Sequence, residues 1–149
     1  PLPLHERLAT AAMKTFANTG IIATVEYSGE PCSFPPTVEE EIMAIAGEAM
    51  TNAREHAGSR SVHVSCGYEA GNLRVRVRDD GRGFDPSTMP TGHWGLIGMR
   101  ERAAAIGARL TVSSAPGAGT DVLVVFRAES SVRRVWRRLI HRGSPDRRS

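Results

Sequence analysis

Residues 61–79 read SVHVSCGYEAGNLRVRVRD, two runs in which apolar and polar residues alternate. Val62, Val64 and Cys66 point one way, and Leu73, Val75 and Val77 do the same in the second run. The YEAGN between them is a hairpin connection. A pair of this kind is an antiparallel ladder with one apolar face, and that face demands a cover.

The rest of the chain offers the cover. In LHERLATAAMKTF, Leu4, Leu8, Ala12 and Phe16 recur at helical spacing, and the helix stops at NTG. IIATVEY is short and β-branched, a strand, and SGEPCSFPP is a Gly/Pro loop. Thr37 reads as an N-cap, with Glu40 three residues later completing a capping box. The helix it opens is expected to run to about His56 and to end at Gly58. Residues 80–95 are Gly/Pro-rich and lack periodicity. A third helix is expected over about 96–106, closed by Gly107, and RLTVSSAPGAGTDVLVVF reads as two strands around a Gly-rich turn. No internal repeat is visible. The order α-β-α-β-β-loop-α-β-β predicts an α+β fold: a two-layer sandwich with helices on one face of a mixed, mostly antiparallel sheet. The other face is expected to be partly open, or covered by the tail.

At 149 residues, 40% hydrophobic and 23% charged, the chain suits one folded domain rather than a disordered one. No apolar run approaches the ~20 residues that span a bilayer, and no secretory signal is visible. The chain opens on Pro1, so it is expected to be a piece of something longer. Cys32 and Cys66 lack metal-type spacing; both are read as small buried apolar residues with free thiols, which suits a reducing compartment. The net charge of +3 is unevenly spread. Residues 1–127 hold 12 Lys+Arg against 14 Asp+Glu, and residues 128–149 hold seven Arg against two acids. The body therefore gives no reason to expect nucleic acid as a partner. In the tail, Val132, Val135, Trp136, Leu139 and Ile140 alternate with Arg133, Arg134, Arg137 and Arg138, a basic amphipathic helix. It is expected to dock in cis, on a membrane surface or on an acidic partner; GSPDRRS beyond it reads as disordered. These boundaries divide the chain into a domain over 1–127 and a tail over 128–149.

The long central helix contains GEAMTNAREHAG, with Glu48, Asn52 and His56 at four-residue intervals. At about 100° per residue the three drift across only about 80° of helix surface. Ile42, Ile45, Ala49 and Ala53 form the neighbouring apolar stripe. Alone, the trio is a solvated helix edge. It becomes a site when other ligand-type residues converge on it. RDDGRGF follows a strand directly, and Asp79, Gly81 and Gly83 fit the pattern D-x-G-x-G. Glycines permit close backbone approach, and an aspartate there can accept from an exocyclic amine such as adenine's. HWGLIGMRERA puts Gly95 and Gly98 at a helix mouth, where backbone N–H groups favour phosphate. GAGT places Thr120 at the start of a strand.

This ordered set resembles the GHKL ATPase superfamily, which includes gyrase, Hsp90, histidine kinases and MutL. Within it, the match resembles the catalytic ATP-binding domain of a bacterial two-component sensor histidine kinase, over about residues 4–126. EAMTNAREHA resembles the N box, DDGRGF and GLIGMRERA the first and second glycine boxes, and GAGT the last. HWGLIGMRERA is similar to kinases that pair with helix-turn-helix response regulators, which have a short lid. The resemblance implies the Bergerat ATP-binding fold, with ATP and Mg²⁺ as cofactors. It assigns Asn52 to Mg²⁺ and Glu48 to the metal's water shell or to polarising the attacking group. His56 would line the phosphate or ribose side. Asp79 would read adenine, with Thr120 assisting, and Gly81 and Gly83 would shape the floor. Gly95, Leu96 and Gly98 would close the lid's hinge; Phe84 and Met99, within the glycine boxes, join the ATP-binding set.

The resemblance implies transfer of the γ-phosphoryl group to a histidine on a separate dimerisation domain, for relay to a response regulator. It also implies a homodimeric parent and a cytoplasmic location, as a soluble protein or as the cytosolic part of a membrane-bound sensor. An anti-sigma-factor serine kinase and a non-catalytic module of the same fold are the alternatives. One departure stands out: where relatives often carry Lys or Arg before the N-box histidine, this chain has Glu55. Arg54, Arg82 and Arg100 are the nearby cations. His5, in LHERL, is rejected as a phosphoacceptor because the segment before Gly20 is too short for a helical hairpin; it reads as a surface residue. His63, His93 and His141 share no metal spacing. Trp94 is read as packing the lid or the core.

Overall fold

The computed structural model describes residues 2–88 and 95–128. Trp94, His93, His141 and the tail readings lie outside the described residues. The elements follow the expected order: α1 (Leu4–Phe16), β1 (Ile22–Ser28), α2 (Pro36–Glu55), β2 (Ser61–Glu69), β3 (Asn72–Asp79), α3 (Leu96–Ala105), β4 (Arg109–Ser114) and β5 (Thr120–Arg127).

The five strands form one sheet in the order β1-β2-β3-β5-β4. β1 runs parallel to β2, and every other pair is antiparallel. The parallel pair follows from α2, which carries the chain back across the sheet between β1 and β2. β2 and β3 turn through Ala70 and Gly71 at φ 48° and 80°, a two-residue turn that needs positive φ at both places. As the alternation predicted, Val62, Val64, Cys66, Leu73, Val75 and Val77 are all buried. They meet α1 residues Leu4, Leu8, Ala12 and Phe16 and the α2 stripe of Ile42, Ile45, Ala49 and Ala53 in a single core. The opposite face of the sheet carries no helix among the described residues.

Three local readings need correction. Thr37 does not cap α2. The helix begins at Pro36 with Pro35 as N-cap, no side chain caps it, and Val38 and Glu39 donate to the Pro35 carbonyl. Pro36 has its φ preset for a first helical position, and this moves the N-cap two residues earlier, from Thr37 to Pro35. Cys66 is buried but Cys32 is exposed, because it lies in the Pro-rich loop rather than on a core-facing strand position. His5 is more than a surface residue. Its ring stacks on Tyr27 with centroids 3.9 Å apart, and its Nδ1 lies 2.9 Å from the Tyr68 hydroxyl.

Candidate nucleotide site

α2 delivers Asn52 to one end of the sheet, and β3 ends at the same place with Asp79. Asp79 pairs across the ladder with Thr120, the first residue of β5. A pocket with about 360 Å³ of empty space opens between them. Its wall includes Asn52, Asp79, Phe84, Leu96, Met99 and Thr120, six of the predicted residues, with Ala49, Ala57, Val77 and Val122 as further apolar lining. An apolar slot with a few fixed polar groups suits a flat heterocycle.

Asp79 is held by its neighbours. The Gly81 N–H donates to Asp79 Oδ1 at 2.9 Å. Burial pushes the carboxyl above the usual aspartate range, while the N–H groups of Gly81 and Thr120 pull it back in part. The Ser59 hydroxyl pulls the same way. That hydroxyl is buried and makes no hydrogen bond at ordinary bonding distance, so its pull is weak and longer-range. Asp80, next in sequence, does structural work instead. Its Oδ1 accepts from the N–H groups of Arg60 and Ser61 at 2.8 and 3.0 Å, and its Oδ2 accepts from the Ser61 hydroxyl at 2.9 Å. These bonds hold its carboxyl below the usual range.

At Gly81 and Gly83 the close approach is to the protein's own backbone. A Cβ on Gly81 would collide with the Ala57 carbonyl, and one on Gly83 with that of Ala115. The loop after β3 is thus clamped between the end of α2 and the β4–β5 turn. Two residues of that clamp were not named as site residues from the sequence: Ser114, which carried no signal, and Gly119, which stood in the GAGT turn. Ser114 Oγ accepts from the Phe84 N–H at 2.9 Å, donates to the Gly119 carbonyl at 3.0 Å and lies 3.0 Å from Thr120 Oγ1. Gly119, at φ 72°, rests so close to the Asp79 carbonyl that no side chain fits.

The remaining predicted residues lie around the pocket rather than in its wall. Glu48 packs against Gly95, the left-handed N-cap of α3, at φ 71°. A Cβ there would strike the Glu48 carboxylate. Gly98, in the first turn of α3, has none of the described residues within 4 Å of where its Cβ would stand. His56 caps α2, its N–H donating to the Asn52 carbonyl at 2.9 Å. Its Nε2 lies 3.9 Å from Glu55, which also pairs with Arg54 at 2.7 Å. Among the described residues no three His, Cys, Asp or Glu cluster as a metal site. Asn52 and Glu48 sit one turn apart on α2, both half-buried. Two hard oxygen donors suit a divalent ion that keeps its waters and arrives with phosphates.

The histidine kinase-, DNA gyrase B- and HSP90-like ATPase model matches residues 37–130. The chain belongs to that family. Among curated relatives it is 33% identical over 113 residues to the signal transduction histidine-protein kinase/phosphatase DegS of Brevibacillus brevis, covering 75% of this chain and 29% of DegS. It is 35% identical over 129 residues to the nitrate/nitrite sensor protein NarQ of Escherichia coli, covering 86% of this chain and 22% of NarQ. The chain therefore spans less than a third of these relatives' length. Among solved structures, the histidine kinase domain of the Erythrobacter litoralis EL346 blue-light activated kinase superposes with a TM-score of 0.69 at 26% identity, over 84% of this chain and 61% of that one. The family is a nucleotide-binding one, and the pocket walled by Asn52 and Asp79 lies inside the matched span. No described helix is long and apolar enough to cross a membrane.

Proposed function

We propose that this chain is the Mg-ATP-binding catalytic domain of a sensor histidine kinase. The observation that carries the reading is the convergence of Asn52, Asp79 and Thr120, distant in sequence, on one pocket. Asp79 accepts from the purine amine, with Thr120 beside it. Leu96, Met99 and Phe84 sandwich the base. Gly95 and Gly98 leave the N-terminal turn of α3 open to the phosphates. Asn52, with Glu48 behind it, holds Mg²⁺, which supplies charge neutralisation for the phosphates when bound. His56 lines the phosphate or ribose side. Glu55 offers no positive charge, and its pairing with Arg54 and His56 offsets charge on that rim. Among the described residues, Arg82 and Arg100 have side chains without a hydrogen-bonded or ion-paired partner. Either is able to turn towards a phosphate.

The γ-phosphoryl group goes to a histidine on a dimerisation domain of the same or the partner protomer, then to a response regulator. The full-length protein acts as a homodimer, with this domain in the cytoplasm. The relatives named above are sensor kinases, which favours this reading over an anti-sigma-factor serine kinase. Calorimetry of the chain with Mg²⁺ and a non-hydrolysable ATP analogue tests it. Saturable binding at millimolar or tighter affinity is expected, with at least about a tenfold loss in Asn52→Ala, from one lost charge-assisted contact. Unchanged affinity in that variant would instead support an inert module of the same fold.

A further inference from the structure

The face of the sheet that no described helix covers has a chemistry of its own. The registers place three rows across β3, β5 and β4: Arg74–Val125–Arg109, Arg76–Leu123–Thr111 and Arg78–Asp121–Ser113. Arg127 follows Val125 on the same face of β5. Asp121 is the one acid on these strands' open face. It is engaged by Arg76, whose Nε donates to both carboxylate oxygens at 2.9 and 3.0 Å, and Arg78 lies 3.8 Å away. Arg74 and Arg109 have no hydrogen-bonded or ion-paired partner among the described residues. Together with Arg127 they border a depression with about 990 Å³ of empty space, open to solvent, whose floor is Leu123 and Val125. Glu69 lines the adjoining hollow that Arg74 and Arg127 share.

We propose that the Arg74–Arg109–Arg127 end of this sheet face is a docking site for an acidic segment of another protein, one that alternates carboxylate and aliphatic side chains. Charge selects the occupant. Arg74 and Arg109, whose side chains are unpartnered among the described residues, flank Val125 with like charge, and a carboxylate partner relieves them bidentately. The apolar strip between them rewards an aliphatic side chain that leaves water. The chain's own residues 129–149 have the wrong sign, with seven arginines and two acids. The open faces of these three strands present no aromatic ring on which bases would stack, so single-stranded nucleic acid is poorly matched. A planar bilayer surface would not reach a recessed aliphatic floor.

The test uses the whole chain, isotope-labelled, with three probes: a synthetic peptide alternating Glu and Leu, phosphatidylglycerol vesicles, and an oligothymidylate. The peptide is expected to bind, to shift the amide resonances of Arg74, Arg109, Leu123 and Val125 and to spare those of Asn52 and Asp79. Its affinity should fall at least about tenfold in Arg74→Glu/Arg109→Glu, and should fall with added salt. Both positions are exposed, so the variant is expected to keep its fold, checked by an unchanged melting temperature. If the double variant unfolds, Arg74→Gln/Arg109→Gln replaces it with the same expectation. The proposal is overturned if the peptide fails to bind, if its shifts map elsewhere, or if the variants bind it as before. It is equally overturned if vesicles or oligothymidylate bind this face more tightly than the peptide. Nucleotide binding is not needed for any arm, so failure here leaves the ATP reading standing, and the reverse.

Discussion

At Asp79 and Gly98 the proposed function predicts that single residues trade stability for a ligand. Burial raises the Asp79 carboxyl, so the fold favours its protonated form. That contribution is complete below the ordinary aspartate range and is lost as pH rises through the raised value. Asp79→Asn removes the buried charge. At pH 7 it should melt higher by about 2–5 °C, the gain vanishing as pH falls through the raised value. Its affinity for ATP should fall by about 10–100-fold, because the acceptor proposed for the purine amine is replaced by a mixed amide. Thermal scans from acidic to neutral pH, with calorimetry alongside, check both halves. Gly98 poses a similar choice. Its Cβ would touch none of the described residues, so neither strain nor packing among them explains a glycine in a helix. Gly98→Ala should raise stability by about 0.5 kcal/mol while weakening ATP binding at least about tenfold. A rise in melting temperature with unchanged affinity would remove the phosphates from the α3 mouth.

At the scale of elements, periodicity made most of the fold legible. Leu4, Leu8, Ala12 and Phe16 marked α1, and the valines of β2 and β3 marked the core face, because helix and strand repeats are written in which residues are apolar. Strand order was not written there. Nothing in β5 says that it lies between β3 and β4, since that is decided by pairing across the sheet. The same division holds in the site. Asn52, Asp79 and Thr120 were readable because each stands at a fixed place beside glycines or on a helix border. Ser59 and Ser114 were not, because a serine in a loop or at a strand end has no period and its partner is distant in sequence. Gly119 stood in the quoted GAGT turn, yet its contact with the Asp79 carbonyl exists only once β3 and β5 are paired. The prediction at this scale concerns that joint. Gly119→Ala meets both a positive φ and the Asp79 backbone, so it should cost about 2 kcal/mol or more. Chemical denaturation should show it as a lower midpoint at unchanged slope.

For the whole molecule, one sheet presents two surfaces that share strands but not residues. β3 sends Val77 and Asp79 to the pocket side and Arg74, Arg76 and Arg78 to the open side, because successive side chains alternate. A ligand on the pocket side stabilises the whole cooperative unit by mass action, by about 2.7 kcal/mol at a hundred times its Kd. That stabilisation is set by contacts with Asn52, Asp79 and their neighbours, none of which touches the arginine face in the hydrogen bonds and ion pairs described. Sites that share no partner add their effects to within about 0.5 kcal/mol. The nucleotide-induced rise in melting temperature should therefore persist in full in Arg74→Glu/Arg109→Glu and fall by about half or more in Asn52→Ala. Differential scanning calorimetry of the three proteins, with and without Mg²⁺ and the ATP analogue, reads this directly. A rise that shrinks in the arginine variant would mean that the sheet couples its two faces through the strands, and that β3 transmits between them rather than merely separating them.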